Sequence, residues 1–165
     1  MAHVINRQGD FSKVGPLFRS NECTPKIDGP NFEGLLINMP EEVVFDGAGT
    51  LAHAGGRLVL CGAYRFKSSL LNLRGRFIDR ILFVAVNAKT HHASAGKMES
   101  VPNRIPSGDP DDGLDPDMLT GGVFNPDLGA LLHLPAEAAD YIVYATLGPF
   151  RSNPLTVRVR PRKKP

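Results

Sequence analysis

The chain has 165 residues and a mass of 17.9 kDa, which suits one domain, or one domain with a long arm. Hydrophobic residues make up 42% and charged residues 22%, a globular balance that excludes global disorder. The net charge of +2 gives no reason to expect nucleic acid as a partner, and no stretch reaches the ~20 consecutive apolar residues of a membrane span.

Gly 17 and Pro 14 imply many turns, because helix interiors tolerate both poorly. The expected class is all-β. Residues 1–31 read as an extended arm broken by Gly15-Pro16, Thr24-Pro25 and Gly29-Pro30. The opening MAHVINRQGD has no apolar run of the signal-peptide kind, so the expected location is cytoplasmic, with Cys23 and Cys61 as free thiols. Apolar Val14, Leu17 and Phe18 in the arm are the candidate partner-binding residues, docking either on this domain or on a neighbouring copy.

Residues 32–66 read as strands. Leu35 and Ile37 share one face of the first, Val43 to Phe45 form a short second piece, and Asp46-Gly47-Ala48-Gly49 signals a turn. From Arg57 to Phe66, Leu58, Leu60 and Tyr64 alternate with Val59, Cys61 and Ala63, which suits a central strand with Cys61 in the core. The leucines at 70, 71 and 73 fit a helical turn or a sheet-crossing loop. Phe77 to Asn87 carries the run Ile81 to Val86, too short for a core helix and suited to a strand buried on both faces. Residues 88–122 form the longest irregular stretch, rich in Pro and Gly, where function or mobility concentrates. Asn125-Pro126-Asp127 then looks like a helix start, with Leu128, Leu131 and Leu132 at helical spacing. Tyr141, Val143, Ala145 and Leu147 alternate with Ile142, Tyr144 and Thr146. After Gly148-Pro149, Leu155, Val157 and Val159 face away from Thr156, Arg158 and Arg160, which makes a hairpin with one buried and one wet face. Residues 32–160 are thus the sandwich domain. Arg158, Arg160, Arg162, Lys163 and Lys164 read as an exposed strand face running into a basic tail, 161–165.

The run Glu137-Ala138-Ala139-Asp140-Tyr141-Ile142-Val143-Tyr144-Ala145 resembles the start of the penultimate strand of immunoglobulin-like domains. Ser152-Asn153-Pro154-Leu155-Thr156-Val157-Arg158-Val159 resembles the final strand of bacterial modules of that family. The resemblance implies an immunoglobulin-like antiparallel β-sandwich, with a long N-terminal arm and one long irregular loop. It also implies a tyrosine-corner role for Tyr141, whose hydroxyl would bond backbone upstream. Val143 stands where antibody domains carry their second Cys, and Trp is absent. Fold alone supplies no activity.

Chemistry-bearing patterns are few. Asp109, Asp111, Asp112, Asp115 and Asp117 surround Gly113 and are the candidate calcium ligands, hard oxygens on a loop that a glycine lets wrap. Their spacing departs from the twelve-residue calcium loop, and no bidentate Glu follows at the required distance. Adjacent His91 and His92 read as exposed hairpin-tip residues. No nucleophile elbow and no phosphate-binding glycine loop is present. The expectation is a non-catalytic protein-interaction or structural subunit, accessory or self-assembling, with a protein or a second copy as partner. The alternative is a ligand-binding module for calcium or carbohydrate using residues 88–122.

Overall fold

The alternating stretches form the strands of two packed sheets, an all-β sandwich. The computed structural model describes residues 5, 7, 10–14, 19–67, 69, 80–98 and 117–165. The elements in chain order are β1 (Gly34–Asn38), β2 (Glu42–Phe45), β3 (Cys61–Lys67), β4 (Leu82–Asn87), β5 (Ala93–Lys97), β6 (Leu119–Phe124), α1 (Leu128–Leu131), β7 (Ala139–Leu147), β8 (Phe150–Arg151) and β9 (Leu155–Pro161). One sheet has the order β1-β3-β6. The other runs β2-β9-β7-β4-β5, with β8 pairing on β7.

The C-terminal hairpin behaves as its alternation requires. β7 buries Tyr141, Val143, Ala145 and Leu147, and β9 buries Val157 and Val159 on the same side. Tyr141 pairs with Val157 and Ala139 with Val159. A slip of one residue would turn all of these side chains into water, so the hydrophobic pattern fixes the register. The two inner faces meet at a cluster of rings: Phe83 and Phe124 pack edge to face at 5.6 Å, Phe66 and Phe150 at 5.0 Å. Such pairs add about 0.5–1.5 kcal/mol beyond the area they bury.

Several features differ from the sequence reading. The sheets are mixed, because β2 runs parallel to β9, with Val43 opposite Val159 and Phe45 opposite Pro161. Residues 57–60 precede β3 and brace the helix instead of extending the strand. Leu60 N–H donates to Pro126 O, and Leu128 N–H donates to Leu58 O. The helix cap is Asp127, whose Oδ1 accepts from Gly129 N at 3.0 Å and Ala130 N at 3.4 Å. Asn125 is buried, and its amide donates to Arg19 O. The irregular stretch 88–122 contains β5 and the start of β6, which runs on to Phe124. Their composition hid them. ASAGK has no β-branched or aromatic residue, LTGGVF is interrupted by Gly121 and Gly122, and the glycines answer to close packing. A Cβ on Gly122 would lie 2.2 Å from the Tyr64 hydroxyl, and one on Gly96 would lie 3.0 Å from Leu132.

Cys23 and Cys61 are joined in a disulfide, 1% and 0% exposed, where free thiols were expected. The bridge ties the arm to β3. Leu36, Asn38, Cys61 and Ala63 alternate with core residues yet are buried. The arm lies against this side of the sheet, through Cys23 on Cys61 and through Val14 and Phe11 packed with Val59. Sandwich side chains grip the arm by its carbonyls. Asn38 Nδ2 donates to Cys23 O at 2.9 Å, Arg57 to Val14 O at 3.3 Å, and Arg65 to Gly29 O and, just past the arm, to Phe32 O at 2.9 Å. In return, Arg7 of the arm donates to Met39 O, Pro40 O and Thr156 O. The described part of the arm is therefore a third layer on its own domain.

Candidate interaction surface

The residues singled out for chemistry do not converge. Asp109, Asp111, Asp112 and Asp115 lie outside the described residues. Asp117 is exposed, two residues before β6. Among the described residues no group of three His, Cys, Asp or Glu side chains is placed to hold a metal ion. His91 and His92 are exposed in the β4–β5 turn, as their position after Asn87 suggested. His53 Nδ1 pairs with Thr50 Oγ1 at 2.6 Å. Leu17 and Phe18 are outside the described residues, whereas Val14 is 7% exposed and buried within its own chain against the disulfide. Val14 is thus core, because the covered side of β1-β3 supplies the apolar surface it needs.

Tyr141 is buried in β7, and burial, with a smaller contribution from the charge of Glu137, pushes its phenol pKa up. Among the described residues its hydroxyl has no hydrogen bond of the tyrosine-corner kind. Edge protection comes instead from Asn153. Its amide donates to Ile37 O at 3.0 Å, and its oxygen accepts from Ile37 N at 2.9 Å. One side chain thereby stands in for a neighbouring strand on the outer edge of β1.

Two surface hollows are lined by polar and apolar groups in near-equal measure. One, of about 530 Å³, lies between the β4–β5 turn and the start of β7. Its Arg160 bonds Asp140 at 2.7 Å, Val159 O at 2.9 Å and Ala139 O at 3.1 Å. The other, of about 610 Å³, is formed by residues 20–26 of the arm with Asp28 and Asn38. Its Asn38 amide is engaged by Cys23 O.

The outer face of the larger sheet is different. In an antiparallel sheet with one covered face, strands normally alternate apolar-in and polar-out. β4 does not. Phe83 and Ala85 point into the core, yet outward-facing Leu82, Val84 and Val86 are apolar too. Across the ladder they stand beside Thr146, Tyr144 and Ile142 of β7 and beside Lys97, Ala95 and Ala93 of β5. Ile142 remains 39% exposed, Leu82 and Val86 are half-buried, and Val84 between them is buried, 7% exposed. Arg151 stacks its guanidinium over the Tyr144 ring at 3.8 Å, at the margin of this strip. The sequence signal was the unbroken run Ile81 to Val86, read there as burial on two faces. Toward β9 and β2 the same face turns polar, with Arg158 facing Glu42 at 3.7 Å.

No helix among the described residues is long and apolar enough to cross a membrane. No protein-family model matches the chain, and no curated protein or solved structure matches it.

Proposed function

We propose that this chain is a non-catalytic, immunoglobulin-like module that works by protein contact through the outer face of its larger sheet. The observation that carries the reading is β4, apolar on both sides although the sandwich core accounts for only one. An apolar strip of this kind, rimmed by Arg151 on Tyr144 and by charged pairs, has the anatomy of a contact surface: apolar centre, polar rim, Tyr and Arg at anchor positions. The strand order supports the family resemblance. β1-β3-β6 corresponds to strands A, B and E of such domains, and β9-β7-β4-β5 corresponds to G, F, C and C′. The buried bridge favours an oxidising compartment over the cytoplasmic location expected from the opening residues.

Site-specific photo-crosslinking tests the reading. With p-benzoylphenylalanine at Ile142, in cells that make the protein, irradiation is expected to give discrete adducts of higher mass. The same group at Lys26 on the arm is expected to give none. Adducts from Lys26 alone, or from neither site, would overturn it.

A further inference from the structure

The arm and the sandwich bury their apolar residues in two separate clusters. The sandwich core runs through Ile37, Phe66, Phe83, Phe124, Val143 and Val157, and among the described residues no part of the arm belongs to it. The arm's own cluster is small: Val14 and Cys23, with Phe11 against them, on Val59 and Cys61. The rest of its hold is main-chain. Asn125, Asn38, Arg57 and Arg65 bond the carbonyls of Arg19, Cys23, Val14 and Gly29. Asn38 pairs with Cys61 across β1 and β3, so one hydrogen bond and the disulfide both meet the arm at Cys23. Leu36 and Ala63, the next pair along, are buried on that same side. Lifting the arm therefore disrupts a few side chains, whereas unfolding disrupts the whole core. The first is a local opening that lies well below the second in free energy. Both sulfurs are buried, so a reductant meets them only when Val14 and Phe11 have moved aside.

We propose that Cys23–Cys61 is a redox latch. A dithiol reductant reaches the bridge during local opening of the arm and cuts it, and the arm then leaves a sandwich that stays folded. Residues 10–14 can lift while the bridge still holds Cys23 in place, which is what brings the sulfurs into reach. One thiolate of the dithiol attacks a bridge sulfur; the S–S bond breaks, giving a mixed disulfide and one cysteine thiolate. The second thiol of the dithiol then closes its own disulfide and releases the other cysteine. Two electrons pass from the dithiol to the bridge, and its two protons end on Cys23 and Cys61. With the tether gone, the departing arm bares Leu36, Ala63 and the neighbouring Val59, a second apolar surface on the opposite sheet from Ile142. Oxidation by the disulfide form of the same reagent reverses each step and closes the latch.

Dithiothreitol added to the full oxidised chain in native buffer tests this, with free thiols alkylated and counted by mass over time. Loss of the bridge is expected to run at least about a hundredfold faster than global unfolding extrapolated to the same buffer. The reduced chain is expected to keep its circular dichroism spectrum and the amide protection of β7 and β9, to lose protection at residues 19–28, and to bind an apolar dye that the oxidised chain does not. Val14→Ala loosens the cover over the sulfurs without touching the sandwich core, so V14A is expected to speed reduction by about tenfold and to leave the unfolding rate unchanged. A bridge lost only as fast as the chain unfolds would overturn the latch. So would a reduced chain that loses its sheets, one whose arm amides stay protected, or a V14A chain whose reduction rises no more than its unfolding.

Discussion

Gly62 shows how one residue's identity is set by another far along the chain. A Cβ there would come within 2.0 Å of the Phe124 ring, which is fully buried and has nowhere to move. Nothing in Cys61-Gly62-Ala63 announces this, because the demand comes from β6, which pairs Phe124 with Gly62 only once the sheet has formed. Tyr64, two register positions away on the same strand, stacks toward both Phe66 and Phe124 with ring centres 6.2 Å apart. Burial raises its phenol pKa above the ordinary value of 10.0, and Tyr141 is raised by burial first and by Glu137 second. The unfolded chain therefore loses these protons before the native one does. Stability is expected to be level in pH below about 10, where both states are protonated, and to fall as pH rises beyond it. Urea midpoints between neutral pH and pH 11 should show this decline, and Tyr64→Phe should flatten it. A wild-type midpoint that stays level across that range would contradict the burial account.

At the scale of elements, legibility followed side-chain alternation. β7 and β9 were readable because their apolar residues recur every second position and share one covering layer. β5 and β6 were not, since close packing against Leu132 and Tyr64 selects Gly at Gly96 and Gly122, where a residue that marks strands would otherwise stand. The parallel pairing of β2 with β9 depends on where distant segments land, and no local pattern encodes that. The same holds for the disulfide. Two cysteines and an opening without an apolar run pointed to free thiols, while the fold places Cys23 and Cys61 with Cα atoms 5.8 Å apart. The bridge spans a separation of 38 residues. Its loss through the paired change Cys23→Ser and Cys61→Ser is expected to cost about 2–4 kcal/mol by loop-closure entropy. Denaturant titration of the two forms measures this. Limited proteolysis should cut the released arm before the sandwich, and equal resistance of the arm in both forms would argue that its carbonyl grips suffice alone.

For the whole molecule, the basic end is less basic than its sequence suggests. Arg158 meets Glu42 at 3.7 Å, Arg160 meets Asp140 at 2.7 Å, and Arg162 meets Asp46 at 2.8 Å, so β9 and the residue after it are laced to β2 and β7 by opposite charges. Exposed pairs of this kind contribute about 0–1 kcal/mol each. Arg160 is distinct, because it also holds two carbonyls. Arg160→Ala is therefore expected to lower stability by about 1–2 kcal/mol, whereas removing Lys163 to Pro165 should shift it by less than about 0.5 kcal/mol. Thermal melts of the two variants would separate them, and equal losses would refute the assignment. The carbonyl grip on the arm has a further consequence, for how this chain can change over generations. Asn38, Arg57, Arg65 and Asn125 recognise peptide oxygens, which every residue possesses, so they are indifferent to what the arm spells. Solvent-facing arm positions such as Lys26 and Asp28 are free to drift while the cradle beneath them is held constant. A saturation library of the gene should record that contrast as tolerant letters in the strap and intolerant ones in its clasps.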